Sequence, residues 1–245
     1  MLIMIERIKV GLTLEKEEPT MGVDYEGYIR EKMQKKPFTI NPDASFYEAR
    51  ALIRDKGIRH IPVIDKGGHL VGLITDRDIR EAAPSDATSL SVHELHYLLG
   101  KLKVSGFMKP KEKLITITSD VIIEEAVQLM RDHRIGCLPV VDGNKLVGII
   151  TETDILDFVV DVFGLKMKGT RLTFALEDTP GQLHGILEVM KNHNINLICV
   201  VTPTYKVNGK RVVAIRIESH DYENLVEELK GKGYDVLSVN KWSPE

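Results

Sequence analysis

The chain has 245 residues, 43% hydrophobic and 28% charged. This is the make-up of a globular protein holding one large domain or two to three small ones, and it excludes disordered, collagenous and disulfide-dense classes. Its 33 Lys and Arg nearly balance 36 Asp and Glu, a formal charge of −3, so the basic excess of a nucleic-acid binder is missing. The longest stretch without Asp, Glu, Lys or Arg, Asn192 to Tyr205, is broken by Asn, Thr and Pro and falls short of the ~18 apolar residues a membrane span needs. Neither nucleic acid nor a membrane is expected as a partner.

Only Cys137 and Cys199 occur. They form no C-x-x-C pair and no disulfide framework, which fits a reducing, cytoplasmic setting. The start, Met1 to Ile5 followed by Glu6 and Arg7, lacks the basic and long apolar regions of a secretory signal. Residues 1–27 match nothing later in the chain and are read as an N-terminal extension.

From residue 28 the chain carries a repeat: Phe38 to Ile79 slides onto Ile115 to Ile155 with Gly68 opposite a gap. Identical pairs include Thr39/Thr116, Asp43/Asp120, Pro62/Pro139, Gly72/Gly148, Thr75/Thr151 and Asp78/Asp154. Each copy predicts an extended Thr-Ile start and then a helix with apolar residues at helical spacing (Ala49, Leu52, Ile53; Ala126, Leu129, Met130). Two strands follow, His60 to Ile64 and Leu70 to Ile74 in copy one, Cys137 to Val141 and Leu146 to Ile150 in copy two, and a closing helix begins after Thr75 or Thr151. The unit is β-α-β-β-α, with copies at 28–83 and 104–162. The connector 84–103 starts with turn and cap residues and continues as a helix bearing Leu95, Leu98, Leu99 and Leu102. The run Lys101, Lys103, Lys109, Lys111 and Lys113 reads as a solvated face.

A short linker, 163–169, has Gly164 and Gly169 as expected hinges. A different domain, 170–241, then reads strand Arg171 to Glu177, helix Pro180 to His193, and a strand from Asn196. After a turn at Asn208-Gly209 come strand Arg211 to Glu218, helix Asp221 to Lys230 and strand Asp235 to Asn240, with a tail at 242–245. The order β-α-β-β-α-β is the ferredoxin-like string. The fold class is therefore α/β and α+β.

Both repeats end in Gly-h-Ile-Thr-x-x-Asp-Ile, from Gly72 and Gly148. Thr-x-x-Asp at a strand-to-helix junction resembles a helix capping box. It also sets a hydroxyl and a carboxylate beside the free N–H groups of a helix start, a pairing suited to a ribose diol. Ile61-Pro62-Val63 and Leu138-Pro139-Val140 are candidate walls for a flat base, and Arg59, His60 and Arg77 are candidate phosphate contacts in copy one. Copy two has Gly136, Cys137 and Thr153 at those places, which predicts unequal sites.

On these paired motifs, residues 28–160 resemble a tandem pair of CBS domains. The resemblance implies one pseudo-symmetric module with an adenosine-type ligand (AMP, ADP or ATP, with S-adenosylmethionine a further option) in clefts between the domains. Asp78 and Asp154 would hold ribose hydroxyls, Thr75 and Thr151 would lie toward ribose and phosphate, and Ile40, Ile61, Pro62, Ile117, Leu138 and Pro139 would complete the pockets. The lead-ins Ile29 to Met33 and Val104 to Met108 match the family's opening, although the second lacks its acid. Residues 168–241 resemble an ACT domain through Asp178-Thr179-Pro180-Gly181-Gln182-Leu183 and Asn194-Ile195-Asn196-Leu197. That implies pairing of sheets between copies and an amino acid held at the seam by Asp178, Gly181, Leu183, Asn194 and Asn196. A CBS pair followed by an ACT domain is similar to acetoin-utilisation-type CBS-ACT proteins.

No catalytic constellation stands out: there is no Walker loop, no Gly-x-Ser-x-Gly and no Cys with an identifiable base. His93 and His96 are one residue short of the H-E-x-x-H zinc spacing and read as a solvated helix face, so no metal is expected. The sequence reading is a non-catalytic regulatory homodimer that senses an adenine nucleotide, and an amino acid as a second signal, for an unidentified enzyme target. The alternative is an assembly scaffold with vacant sites.

Overall fold

The computed structural model describes residues 27–83 and 91–244. Most of the expected N-terminal extension, 1–26, and the first part of the connector, 84–90, lie outside the described residues.

A short helix α1 (Ile29–Lys32) leads into the first repeat, which forms α2 (Phe46–Lys56), β1 (His60–Ile64), β2 (Leu70–Thr75) and α3 (Asp76–Ala82). The connector helix α4 (Val92–Lys101) and a two-residue strand β3 (Lys109–Pro110) precede the second repeat, α5 (Ile123–His133), β4 (Cys137–Asp142), β5 (Lys145–Thr151) and α6 (Glu152–Val162). Ser45 caps α2 through a reciprocal box with Glu48, satisfying two N–H groups that a helix start leaves open. The expected opening strand of each copy is reduced to one parallel bridge, Ile40 to Val63 and Ile117 to Val140. Pro62 and Pro139 face these residues and lack an N–H; their carbonyls only accept, from Ile40 N and Ile117 N at 3.2 Å, which confines each ladder to its bridge.

The lead-ins cross over. Ile29 is fully buried in the core of the second repeat with Ile117, Ile123 and Leu138. Val104 is fully buried in the core of the first, with Phe46, Ile61 and Ile74. β3 pairs with β2, setting Lys109 opposite Leu73, and Gln34 bridges Ile149 in the equivalent way. Gly72 and Gly148 lie under Met108 Sδ and Met33 Sδ, where a Cβ has no room. A small apolar contact of Leu73, Cys137 and Ile149 with Leu114 joins the repeats.

The last domain forms β6 (Gly169–Leu176), α7 (Gln182–Asn192), β7 (Leu197–Val201), β8 (Lys206–Val207), β9 (Lys210–Ile217), α8 (Glu223–Gly231) and β10 (Asp235–Trp242). The antiparallel sheet has the order β10-β6-β9-β7, with β8 folded onto β9 through the Asn208-Gly209 turn. Both turn residues have positive φ, 50° and 79°, as a two-residue hairpin needs. Leu172, Phe174 and Ile215 project from one sheet face into a core with Ile186, Met190, Leu225 and Leu229 of the two helices.

The other sheet face receives the end of α6. Three successive carbonyls, of Phe163, Gly164 and Leu165, accept from Cys199 Sγ (3.5 Å), an Arg216 guanidinium nitrogen (3.4 Å) and Trp242 Nε1 (2.8 Å). Carbonyls at a helix C-terminus have no partner inside the helix and carry its negative dipole end, so Arg216 and Trp242 act as a tertiary cap. The expected hinge at Gly169 is corrected: Gly169 begins β6, pairs with Trp242, and lies against the Ile217 carbonyl, where a Cβ has no room. Gly164 does take a positive φ of 60°.

Candidate functional site

Each signature sits where a strand turns into a helix. Asp78 Oδ2 accepts from Thr75 N and Thr75 Oγ1, both at 2.7 Å, while Thr75 Oγ1 also accepts from Asp78 N at 3.2 Å. Asp154 Oδ2 accepts from Thr151 N and Oγ1, again at 2.7 Å. The capping role is thus satisfied in both copies, and it uses one carboxylate oxygen of each. Oδ1 of each Asp makes no hydrogen bond among the described residues, leaving an acceptor for a ligand hydroxyl.

Two clefts flank these junctions, and each is built from both repeats. The larger, about 450 Å³, joins Thr75, Arg77 and Asp78 of copy one to Lys109, Leu114, Ile115, Arg134, Ile135, Gly136, Cys137 and Pro139 of the second lead-in and copy two. The smaller, about 200 Å³, joins Thr151 and Thr153 of copy two to Gln34, Pro37, Phe38, Gly57 and Ile58 of the first lead-in and copy one. Arg59 and His60 line the larger cleft beside Thr75 and Asp78, and they line the smaller one as well. Burial foremost, and the positive charge of Arg59 next, hold the His60 imidazole below its usual range, opposed by Glu152 and Asp78. Burial pushes the Cys137 thiol up to about 12, so it is a neutral wall of the larger cleft and a poor nucleophile.

Several expected pocket residues lie elsewhere. Ile61 and Leu138 are fully buried in the cores of their repeats, because side chains alternate along a strand and theirs point at the helices. Ile40 packs on the first core and Ile117 lies inside the second. Pro62 is buried and lines neither cleft, whereas Pro139 lines the larger; Asp154 caps its helix beside the smaller cleft without lining it. The apolar walls are Leu73, Leu114, Ile115 and Ile135 on one side, and Pro37, Phe38, Ile58 and Ile149 on the other. Sequence reasoning missed these because it sought each site within one copy. The offset that aligns the copies carries the signal, since it pairs Leu114 with Pro37, Ile115 with Phe38 and Arg134 with Gly57.

The five candidates in the last domain fall into two groups. Asp178 is clamped by Arg211 Nε and Lys206 Nζ, both at 2.8 Å, and their hydrogen bonds bring its carboxyl down to about 2. Gly181 is the left-handed N-cap of α7, φ 89°, and Leu183 packs on the core. Asn194 and Asn196 line a separate cavity of about 370 Å³ with His193, Glu218, Asp221 and Asn224. The 11-residue α7 lies between the groups, a span of roughly 16 Å at 1.5 Å per residue, so one chain does not unite them. Among the described residues, no three His, Cys, Asp or Glu side chains gather as a metal-binding set. His96 instead hydrogen-bonds Tyr47 Oη at 2.7 Å and stacks on its ring.

Residues 29–85 and 104–161 match the CBS domain model, and residues 168–240 match the TTHA0829-like ACT domain model. Among curated relatives, the CBS domain-containing protein DDB_G0289609 of Dictyostelium discoideum is 36% identical over 135 residues, 55% of this chain and 92% of that protein. The inosine-5'-monophosphate dehydrogenase of Aquifex aeolicus is 34% identical over 121 residues, 49% of this chain but only 22% of the enzyme. A solved Vibrio cholerae chain, given as a candidate acetoin utilization protein (AcuB), superposes with a TM-score of 0.48 at 26% identity, covering 56% of this chain and 93% of that one.

Proposed function

Since the chain belongs to the CBS-domain-containing proteins, with a tandem pair followed by an ACT domain, we propose that it is a non-catalytic sensor of an adenine nucleotide. The observation that carries this reading is the larger cleft, which combines the Thr75 and Asp78 junction of one repeat with the apolar wall of Leu114, Ile115 and Ile135 from the other; the smaller cleft repeats the plan with Thr151, and Asp154 beside it. A base fits between such walls, and a ribose diol fits a capped Asp with one free acceptor. Binding across a joint between two repeats favours one arrangement of them, and a ligand acts only through such differential affinity.

The output would be the placement of the ACT domain, tied to α6 through the carbonyls of residues 163–165. The sheet edge β7 exposes Leu197 and Val200, and Leu237 is exposed on the opposite edge strand, β10. An unprotected apolar edge is relieved by pairing with a second copy. Such a homodimer would bring the Asp178 end of one copy toward the Asn194 end of its partner, and the amino-acid site is proposed at that seam.

The decisive experiment is native mass spectrometry of the purified protein, followed by calorimetry with adenine nucleotides. Asp78→Ala should lose more affinity than Asp154→Ala. Equal losses, or no binding to the unmodified protein, would sink the reading. Sedimentation of Val200→Lys tests the seam: an oligomer unchanged from the parent's excludes the β7 edge.

A further inference from the structure

The repeat alignment, with the equivalent sheet positions of Lys109 beside Leu73 and Gln34 beside Ile149, also matches the two clefts, and their cations differ. Arg77 of the larger cleft corresponds to Thr153, Arg80 to Leu156, Lys109 to Gln34 and Arg134 to Gly57. At four matched positions the larger cleft has a cation where the smaller has an uncharged residue or none lining it. Arg59 lines both clefts. The larger is also lined by the carboxylates Asp76, Asp78 and Glu152, of which Asp76 is paired with Arg80 and Asp78 caps its own helix. Arg77, Lys109 and Arg134 therefore remain the cations that set it apart from the smaller cleft, whose lining has no carboxylate among the described residues.

Arg134 is the most telling of the four. It ends α5 in the left-handed conformation, φ 54°, where its counterpart Gly57 has φ 62°. An L-residue there costs energy that glycine avoids, and no packing reward offsets it, since Arg134 is exposed and forms no ion pair among the described residues. Lys109 and Arg59 likewise make no ion pair among the described residues. Arg77 and Arg80 hold Glu81 and Asp76 (2.6 and 3.1 Å) in exposed pairs on their own helix, and exposed pairs exchange partners at little cost.

Resting on the nucleotide reading above, we infer that the larger cleft selects a nucleoside polyphosphate over the corresponding monophosphate, with Lys109 and Arg134 as the specificity-determining residues. The cations come from both sides of the joint: Arg77 and Arg80 from the first repeat, Lys109 and Arg134 from the second lead-in and repeat. A polyphosphate tail offers several anionic groups to cations on both sides, whereas a monophosphate offers one. The smaller cleft has one cation, Arg59, and takes a ligand whose tail carries little charge.

The test is calorimetry on the full chain with ATP, AMP and adenosine in buffer free of divalent cations, repeated with Lys109→Gln/Arg134→Gly. Each substitution installs the residue of the other cleft, and glycine at a left-handed position keeps the fold. ATP should bind at least tenfold more tightly than AMP, and the double variant should bring that ratio close to one while adenosine binding is unchanged. ATP and AMP binding equally to the unmodified protein would overturn the inference and leave the nucleotide reading intact. A double variant that weakens adenosine as much as ATP would also overturn it. Binding of none of the three would remove both.

Discussion

Phe46 and Ile123 hold the same place in the two repeats, the first residue of α2 and of α5, yet their surroundings differ. Phe46 packs edge-on against Tyr47 and Phe107, ring centroids 5.7 Å apart in both cases, in a core extended by Leu95, Leu99 and Leu102 of the connector. Ile123 shares its core with Ile29 of the four-residue α1, and Ile122, Val127, Leu156 and Val159 remain exposed around it. Duplication kept the backbone path and the Thr-x-x-Asp junctions, while the segments covering each copy diverged. The first repeat therefore has the larger core, although Phe38, Tyr97 and Leu98 stay exposed at its surface, and it supplies two of the four cations at the matched positions of the larger cleft.

The sharpest way to test that contrast is to empty the two cores. Phe46→Ala should cost about 4 kcal/mol, within the range for buried aromatic truncations, and Ile123→Ala somewhat less. Urea denaturation followed by circular dichroism measures both, and a larger loss at Ile123 would reverse the ranking of the repeats. The capping junctions should behave alike: Thr75→Ala and Thr151→Ala should each cost about 1 kcal/mol, the usual value of a side-chain cap. A clear difference between them in the same assay would mean that one Thr does more than cap.

Arg134→Gly should stabilise the protein. A left-handed L-residue costs roughly 1–2 kcal/mol and the added freedom of unfolded glycine returns about 0.5–1 kcal/mol, leaving a net gain near ~0.5 kcal/mol. Differential scanning calorimetry should show a higher Tm, and a lower one would mean that Arg134 makes contacts worth more than its strain.

The smallest effect concerns pH and the matched pair His60 and Cys137. The folded His60 resists protonation below its usual 6.5, so the unfolded chain binds the proton first; the contribution is present above about 6.5 and fades as pH falls below it. The buried Cys137 behaves oppositely, its thiol raised from 9.0 to about 12, so its contribution holds below pH 9 and fades above. His60→Gln should therefore lose less Tm than the parent between about pH 7 and pH 5. Identical acid profiles would remove His60 from the account.

Much of this was legible in the sequence because it is local. Period-2 and helical spacing gave the hairpins and helices of both repeats and of the ACT domain, and Asn208-Gly209 announced its turn. The clefts were less legible because they are non-local: Arg134 and Lys109 reach the Thr75 junction only after the lead-ins cross and β3 pairs with β2. The place of the Ile61 side chain was not legible for a simpler reason, since an apolar residue beside a site looks the same whether it faces ligand or core. The Asp178 and Asn194 groups were joined by resemblance, and the length of α7 between them was enough to part them.

The docking of the linker onto the ACT sheet has one more consequence. The chain contains a single tryptophan, Trp242, whose indole N–H donates to the Leu165 carbonyl at 2.8 Å and whose ring lies 5.4 Å from the Arg216 guanidinium. Its fluorescence therefore comes from the joint between the CBS pair and the ACT domain and from nowhere else. The indole is already 42% exposed, so undocking would change its emission through loss of the Leu165 hydrogen bond and the Arg216 cation, and an unlabelled sample titrated with nucleotide in a fluorimeter reports on that joint directly.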